Sequence, residues 1–106
     1  MKPTCFVLVH KRNDDYRALQ EEYDVKFLFE EVDSIPADIA MYLRRIDEVL
    51  LQDEFTALIV FNGPSWLIAL AGFVWYSEQN RKHHNVLQYS AAQGKYVKIE
   101  GEIDDY

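Results

Sequence analysis

Apolar positions come in short blocks along this chain, and the spacing inside each block sets the element it predicts. CFVLVH (5–10) is a run of apolar, β-favouring residues, the form of a buried strand. NDDYRALQEEY (13–23) opens on Asn and Asp, good helix caps, and continues in helix formers. VKFLFEEV (25–32) reads as a second strand. DSIPADIAMYLRRIDEVLLQ (33–52) brings a capping serine, an early proline and apolar Ile39, Leu43, Ile46 and Leu50. Spacings of four, three and four put those side chains on one core-facing helical stripe, with Arg44, Arg45, Asp47 and Glu48 largely outside it. TALIVF (56–61) is the most continuously apolar strand, which places it centrally. A long helix over 64–80 follows, then the strand NVLQYS (85–90) and a turn at AAQG. KYVKIEG (95–101) alternates like an antiparallel edge strand.

Strand and helix in alternation define an α/β layer fold. The reading is one Rossmann-like three-layer domain over 1–106. It has three helices and a mainly parallel sheet of about four strands plus an antiparallel edge strand.

One block breaks its own pattern. TALIVFNGPSWLIALAGFVWY is apolar at both ends and interrupted by Asn-Gly-Pro-Ser. Residues 57–76 have about the length of a membrane span. Irregular backbone at the centre of such a span is strongly disfavoured in lipid, so the expectation is no membrane. A strand-to-helix turn accounts for the break: Gly63 allows a tight turn, and Pro64 suits the first helical position. The amides of Ser65 and Trp66 then point off a helix N-terminus at the carboxyl edge of the sheet, where anions bind. Gly-Pro also occurs at such turns for geometry alone.

The net charge of −7 removes one class of partner, because duplex nucleic acid needs a broad basic footprint. A small anion held by a few local donors stays compatible with it. The single cysteine, Cys5, lies in an apolar strand and reads as a buried thiol. Without a signal-like start, the expected location is the cytoplasm. Adjacent His83 and His84 lack metal-ligand spacing, so no metal and no cofactor are expected. The sequence also contains no GxSxG, P-loop or GxGxxG motif.

Strand ends at the carboxyl edge supply the candidate ligand-binding residues. They are His10, Lys11 and Arg12 after the first strand, Asn62, Gly63, Pro64, Ser65 and Trp66 after the third, and Tyr89 and Ser90 at the fourth. Together they offer a cationic cluster, an anion-friendly helix start and hydroxyl groups, a set suited to a phosphate-bearing ligand. A solvated loop is the plainer reading of His10-Lys11-Arg12. Arg81, Lys82, His83 and His84 close the long helix, where positive charge complements the dipole. That helix is apolar nearly all round, and Trp66, Phe73, Trp75 and Tyr76 imply a homodimer through 66–76.

The first strand ending in His10, the segment SIPAD, NGPSWL, VLQYS and GKYVKI together resemble the small accessory proteins of type III CRISPR systems. Those proteins have CARF-like Rossmann folds, and several are ring nucleases that bind and cleave cyclic oligoadenylate messengers. One branch carries Tyr-Asp-Pro-Arg after the fourth strand and uses histidines with manganese. Here the stretch is YSAA, with Ser90 in the aspartate's place, which departs from that pattern. The resemblance therefore implies cyclic tetra-adenylate lying across a dimer groove and metal-independent attack by a ribose 2′-hydroxyl. His10 would be the acid/base, Lys11 the charge stabiliser and Ser65 the phosphate-orienting group. A non-catalytic module that sequesters or senses the messenger, and a protein-interaction domain, are the alternatives.

Overall fold

The computed structural model describes residues 2–11, 14–51, 58–78 and 86–98. Five strands form one sheet: β1 (Thr4–Val9), β2 (Asp24–Phe29), β3 (Leu58–Val60), β4 (Val86–Ser90) and β5 (Lys95–Lys98). Their order is β2-β1-β3-β4-β5, with β1 to β4 parallel and β5 antiparallel at the edge. β3 lies at the centre of that order, where the continuous apolar run places it. Helices α1 (Arg17–Glu22), α2 (Ile39–Leu51) and α3 (Ser65–Phe73) make the crossovers.

The two sides of the sheet follow from strand alternation. Phe6, Leu8 and Ile59 pack with Ile46 and Leu50 of α2 and with Leu67 and Ala71 of α3. Cys5, Val7, Leu58 and Val60 pack with Tyr16 and with Leu19 of α1. Chain order explains the split. The connection from β1 to β2 runs one way across the sheet, and those from β2 to β3 and β3 to β4 run the other way. Right-handed crossovers therefore set α1 on one face and α2 with α3 on the opposite face.

Three expected element boundaries are corrected. α1 begins at Arg17 and Asp14 does not cap it, because buried Tyr16 holds the residues before the helix over the end of β1; Asn13 lies outside the described residues. The Lys11 N–H donates to the Tyr16 hydroxyl oxygen at 3.1 Å, and that hydroxyl stands 3.4 Å from the Val9 carbonyl. α2 begins at Ile39, so Ser34 is not its cap; Asp38 Oδ1 accepts the Met41 N–H at 3.2 Å in that role. Residues 33 and 34 are held as loop instead. The Asp33 N–H donates to the Tyr42 hydroxyl at 3.4 Å, and the Ser34 carbonyl accepts the Trp66 indole N–H at 3.0 Å. Finally, α3 gives way after Phe73 to a π-helical turn, Val74–Glu78. The wider turn lets consecutive Val74 and Trp75 both enter the core.

The expected core stripe of α2 holds at Ile46, Leu50 and the partly buried Leu43, with Tyr42 added and Ile39 left out. Tyr42, Ile46 and Leu50 are buried, whereas Ile39, on the first turn, is 53% exposed. Among the described residues, no helix is long and apolar enough to cross a membrane.

Cys5 is fully buried, and loss of solvent pushes its thiol up to about 12. A thiolate is the reactive form, so the native protein is expected to resist thiol reagents at neutral pH. Colorimetric titration should release one equivalent of thiol only after denaturant is added. Release in the native state would mean that this face of the sheet opens.

Candidate functional site

The strand order turns back between β1 and β3, so the carboxyl ends of these two strands flank the sheet's switch point. In open α/β sheets such a point forms a ligand crevice. Here a single side chain stitches it. The Asn62 amide accepts the Val9 N–H on Oδ1 at 2.9 Å and donates from Nδ2 to the Val9 carbonyl at 2.7 Å. Gly63 follows with φ of +100°, and a Cβ built there would stand 2.9 Å from Val9 Cγ2. The turn is thus pressed against β1, and no residue with a side chain fits Gly63 without displacement.

Pro64 is the N-cap, so α3 begins at Ser65, one residue later than expected. Its φ of −68° suits a helix, but its ψ of 152° is extended. Its carbonyl accepts the N–H groups of Leu67 at 3.0 Å and Ile68 at 3.2 Å. No side chain caps α3. The amides of Ser65 and Trp66 therefore begin the helix as donors without an intrahelical acceptor, and the Ser65 side chain is exposed. The Gly-Pro break in the apolar run is the price of docking a helix start onto a strand end.

The remaining candidates are held by partners of their own. The His10 imidazole Nδ1 stands 3.0 Å from Glu30 Oε2, and its ring centroid lies 4.6 Å from that of Phe27 and 5.8 Å from that of Tyr16. These contacts draw it toward β2 and the α1 face. Trp66 is drawn toward α2, with its indole bonded to Ser34 and its ring edge-on to Tyr42 at 4.9 Å. Lys11 is exposed beside Tyr16. Among the described residues, no hydrogen bond or ion pair joins His10 or Lys11 to Ser65. Arg12 and the cluster Arg81–His84 lie outside the described residues.

Tyr89 and Ser90 belong to the β4–β5 hairpin. The Ser90 Oγ accepts the Gln93 N–H at 3.3 Å, and its carbonyl accepts the Gly94 N–H at 2.8 Å, so it shapes the turn. The Tyr89 ring meets Tyr96 edge-on at 5.4 Å, and the pair lines a cleft of about 300 Å³ with Asp14 and Asp15. The Arg17 guanidinium beside Asp15, 2.9 Å away, holds that exposed carboxyl down at about 2. This part of the carboxyl edge is consequently acidic and aromatic, while Lys11 and the start of α3 supply its cationic and donor character.

Three groups at this edge are not among the candidates read from the sequence: Glu30, Tyr16 and Tyr96. Glu30 carried a findable signal. Val9 pairs with Phe29 in the parallel register, so the next residues, His10 and Glu30, must be neighbours once β1 and β2 are adjacent. Tyr96 likewise pairs with Tyr89 across the antiparallel ladder. Tyr16 carried no such signal, since one aromatic in a polar segment does not announce a buried hydroxyl. Among the described residues, no three His, Cys, Asp or Glu side chains are grouped to hold a metal.

Compared with known proteins, the chain matches no family model, no curated protein and no solved structure.

Proposed function

We propose that this chain is a CARF-like binding module for a cyclic oligoadenylate, with cyclic tetra-adenylate as its messenger, in the setting of type III CRISPR defence. The observation that carries the reading is the uncapped start of α3 at the switch point, fixed to β1 by Asn62 and Gly63. A phosphate seated there would accept from the Ser65 and Trp66 amides and gain from the helix dipole. Lys11 would add charge from the neighbouring strand end. The Tyr89 ring, 55% exposed, offers a stacking surface for a base.

Cleavage of the ring is the second reading, and the His10–Glu30 contact favours it. A carboxylate holding one imidazole nitrogen is the arrangement of a positioned acid/base. In that reaction the 2′-hydroxyl oxygen bonds to the adjacent phosphorus and the P–O5′ bond breaks. The hydroxyl proton passes to His10, and the departing 5′ oxygen takes up a proton from water. The product is a 2′,3′-cyclic phosphate with a free 5′-hydroxyl.

Calorimetric titration with cyclic tetra-adenylate in EDTA tests binding, and chromatography of the recovered ligand tests cleavage. Ser65→Pro is the diagnostic variant, because proline at a first helical position keeps the helix but deletes the amide donor. Affinity should fall about ten- to a hundredfold, the worth of one charge-assisted hydrogen bond. A wild-type protein that binds nothing, or a Ser65→Pro variant that binds equally well, overturns the proposal.

A further inference from the structure

We infer that the outer edge of β2 docks an extended acidic segment of another protein. The segment adds to the sheet as a strand and sets a carboxylate on Arg44 and Arg45. β2 is the first strand in the sheet order, so among the described residues no strand pairs with its outer edge. The charges that guard this edge, Asp24 and Lys26, stand in its first half, and residues 27–29 carry none. Beside the uncharged half opens a groove of about 420 Å³, lined by Phe29, Met41, Arg44, Arg45 and Glu48. Tyr42 braces Phe29 as its wall, with ring centroids 5.2 Å apart. Met41, across from it, is 44% exposed.

Charge and spacing select the occupant. The chain has a net charge of −7, yet two exposed arginines stand here without a carboxylate. Among the described residues the Arg44 guanidinium has no hydrogen bond or ion pair, Glu48 on the next turn included. Arg45 Nε donates to the Leu28 carbonyl at 3.5 Å, which sets that guanidinium at the strand edge. An added strand sends every second side chain into the groove, at intervals of about 7 Å. On α2, about 5–6 Å separates Met41 from the arginines one turn along. An aliphatic side chain against Phe29 and Met41 therefore brings a carboxylate two positions away within reach of both guanidiniums. Main-chain hydrogen bonds would supply affinity, and these two subsites specificity. A long polyanion meets the repulsion of the whole chain, whereas a short segment meets mainly the local cations. This edge is independent of the ligand reading.

Nuclear magnetic resonance titration of the isotope-labelled full chain tests the inference. The probes are end-blocked threonine heptapeptides with leucine at the third position and aspartate at the fifth, and the reverse order. One of them should bind saturably, shift the amides of β2 and of the first half of α2, and weaken as salt rises. Arg44→Glu should weaken that binding at least tenfold, the worth of a charge-assisted hydrogen bond, with an unchanged circular dichroism spectrum. Should Arg44→Glu fail to fold, Arg44→Ala carries the same expectation. N-methylation of the peptide backbone on its pairing side should abolish binding. The inference is overturned if neither peptide shifts β2, if the arginine variants bind equally well, or if the methylated peptide binds like its parent. Self-association of the wild-type chain through β2, lost in Arg44→Glu, overturns it too, since the occupant is then a second copy.

Discussion

Asn62→Ala lowers the unfolding free energy by about 3 kcal/mol, because it takes the side-chain amide from two part-buried backbone groups in one step. The amide of Asn62 is both acceptor and donor to Val9, whose side chain lies in the core. Without it, the Val9 N–H loses its partner and the Val9 carbonyl keeps only the 3.4 Å approach of the Tyr16 hydroxyl. Urea unfolding followed by tryptophan fluorescence measures the loss. Against a total stability of roughly 5–15 kcal/mol for a domain, it is a large share. Asn62→Asp sharpens the test. A carboxylate still accepts from the N–H but opposes the carbonyl, so this variant is about as unstable at neutral pH. Its carboxyl pKa is raised in the folded state, so the stability recovered on protonation is present at low pH and lost as pH rises through that pKa. Recovery on lowering the pH toward about 4 is therefore expected for Asn62→Asp and not for Asn62→Ala. A loss below about 1 kcal/mol in Asn62→Ala would show that the seam between β1 and β3 holds without the amide.

Gly63→Ala should cost about 2–3 kcal/mol, from a positive φ that L-residues resist and from overlap with a stiff neighbour. The overlap is with Val9 Cγ2, at 2.9 Å from the built Cβ. Valine cannot swing this methyl away freely, because its branched Cβ restricts χ1. A double-mutant cycle with Val9→Ala separates the two contributions. The clash disappears when the methyl is removed, while the backbone strain remains, so a coupling of about 1 kcal/mol is expected. Additive losses would assign the whole effect to φ. Both variants act on the rigidity of the turn that presents the Ser65 and Trp66 amides. In the proposed function, they should also weaken ligand binding at temperatures where the fold persists.

The element order was legible because periodicity is a local property. The apolar run of TCFVLV and the central LIV could be read from side-chain type, since a strand covered on both faces is almost wholly apolar, and the edge strand KYVK from its alternation. Element starts were less legible. The Asn-Asp opening of the first helix and Ser34 before the second are plausible caps on local grounds, but distant hydrogen bonds claim those segments. Tyr16 holds the first over β1, and Tyr42 with Trp66 holds the second against α2 and α3. Ile39 shows the same limit. Its spacing belongs to the apolar stripe, yet it stands exposed beside Trp66 of α3.

From the sequence alone came the α/β class, the strand–turn–helix at Asn62 to Trp66 and the inventory of groups at the carboxyl edge. These depend on neighbours in the chain, on periodicity and on the allowed angles of Gly and Pro. Only the tertiary structure decided which of those groups meet. It brought Asn62 to Val9, 53 residues away, and His10 to Glu30, 20 residues away. It drew His10 and Trp66 toward opposite faces of the sheet. Those pairings follow from strand order and crossover hand, and a side chain's partner across a sheet is set by which strands lie adjacent, information that no local pattern contains.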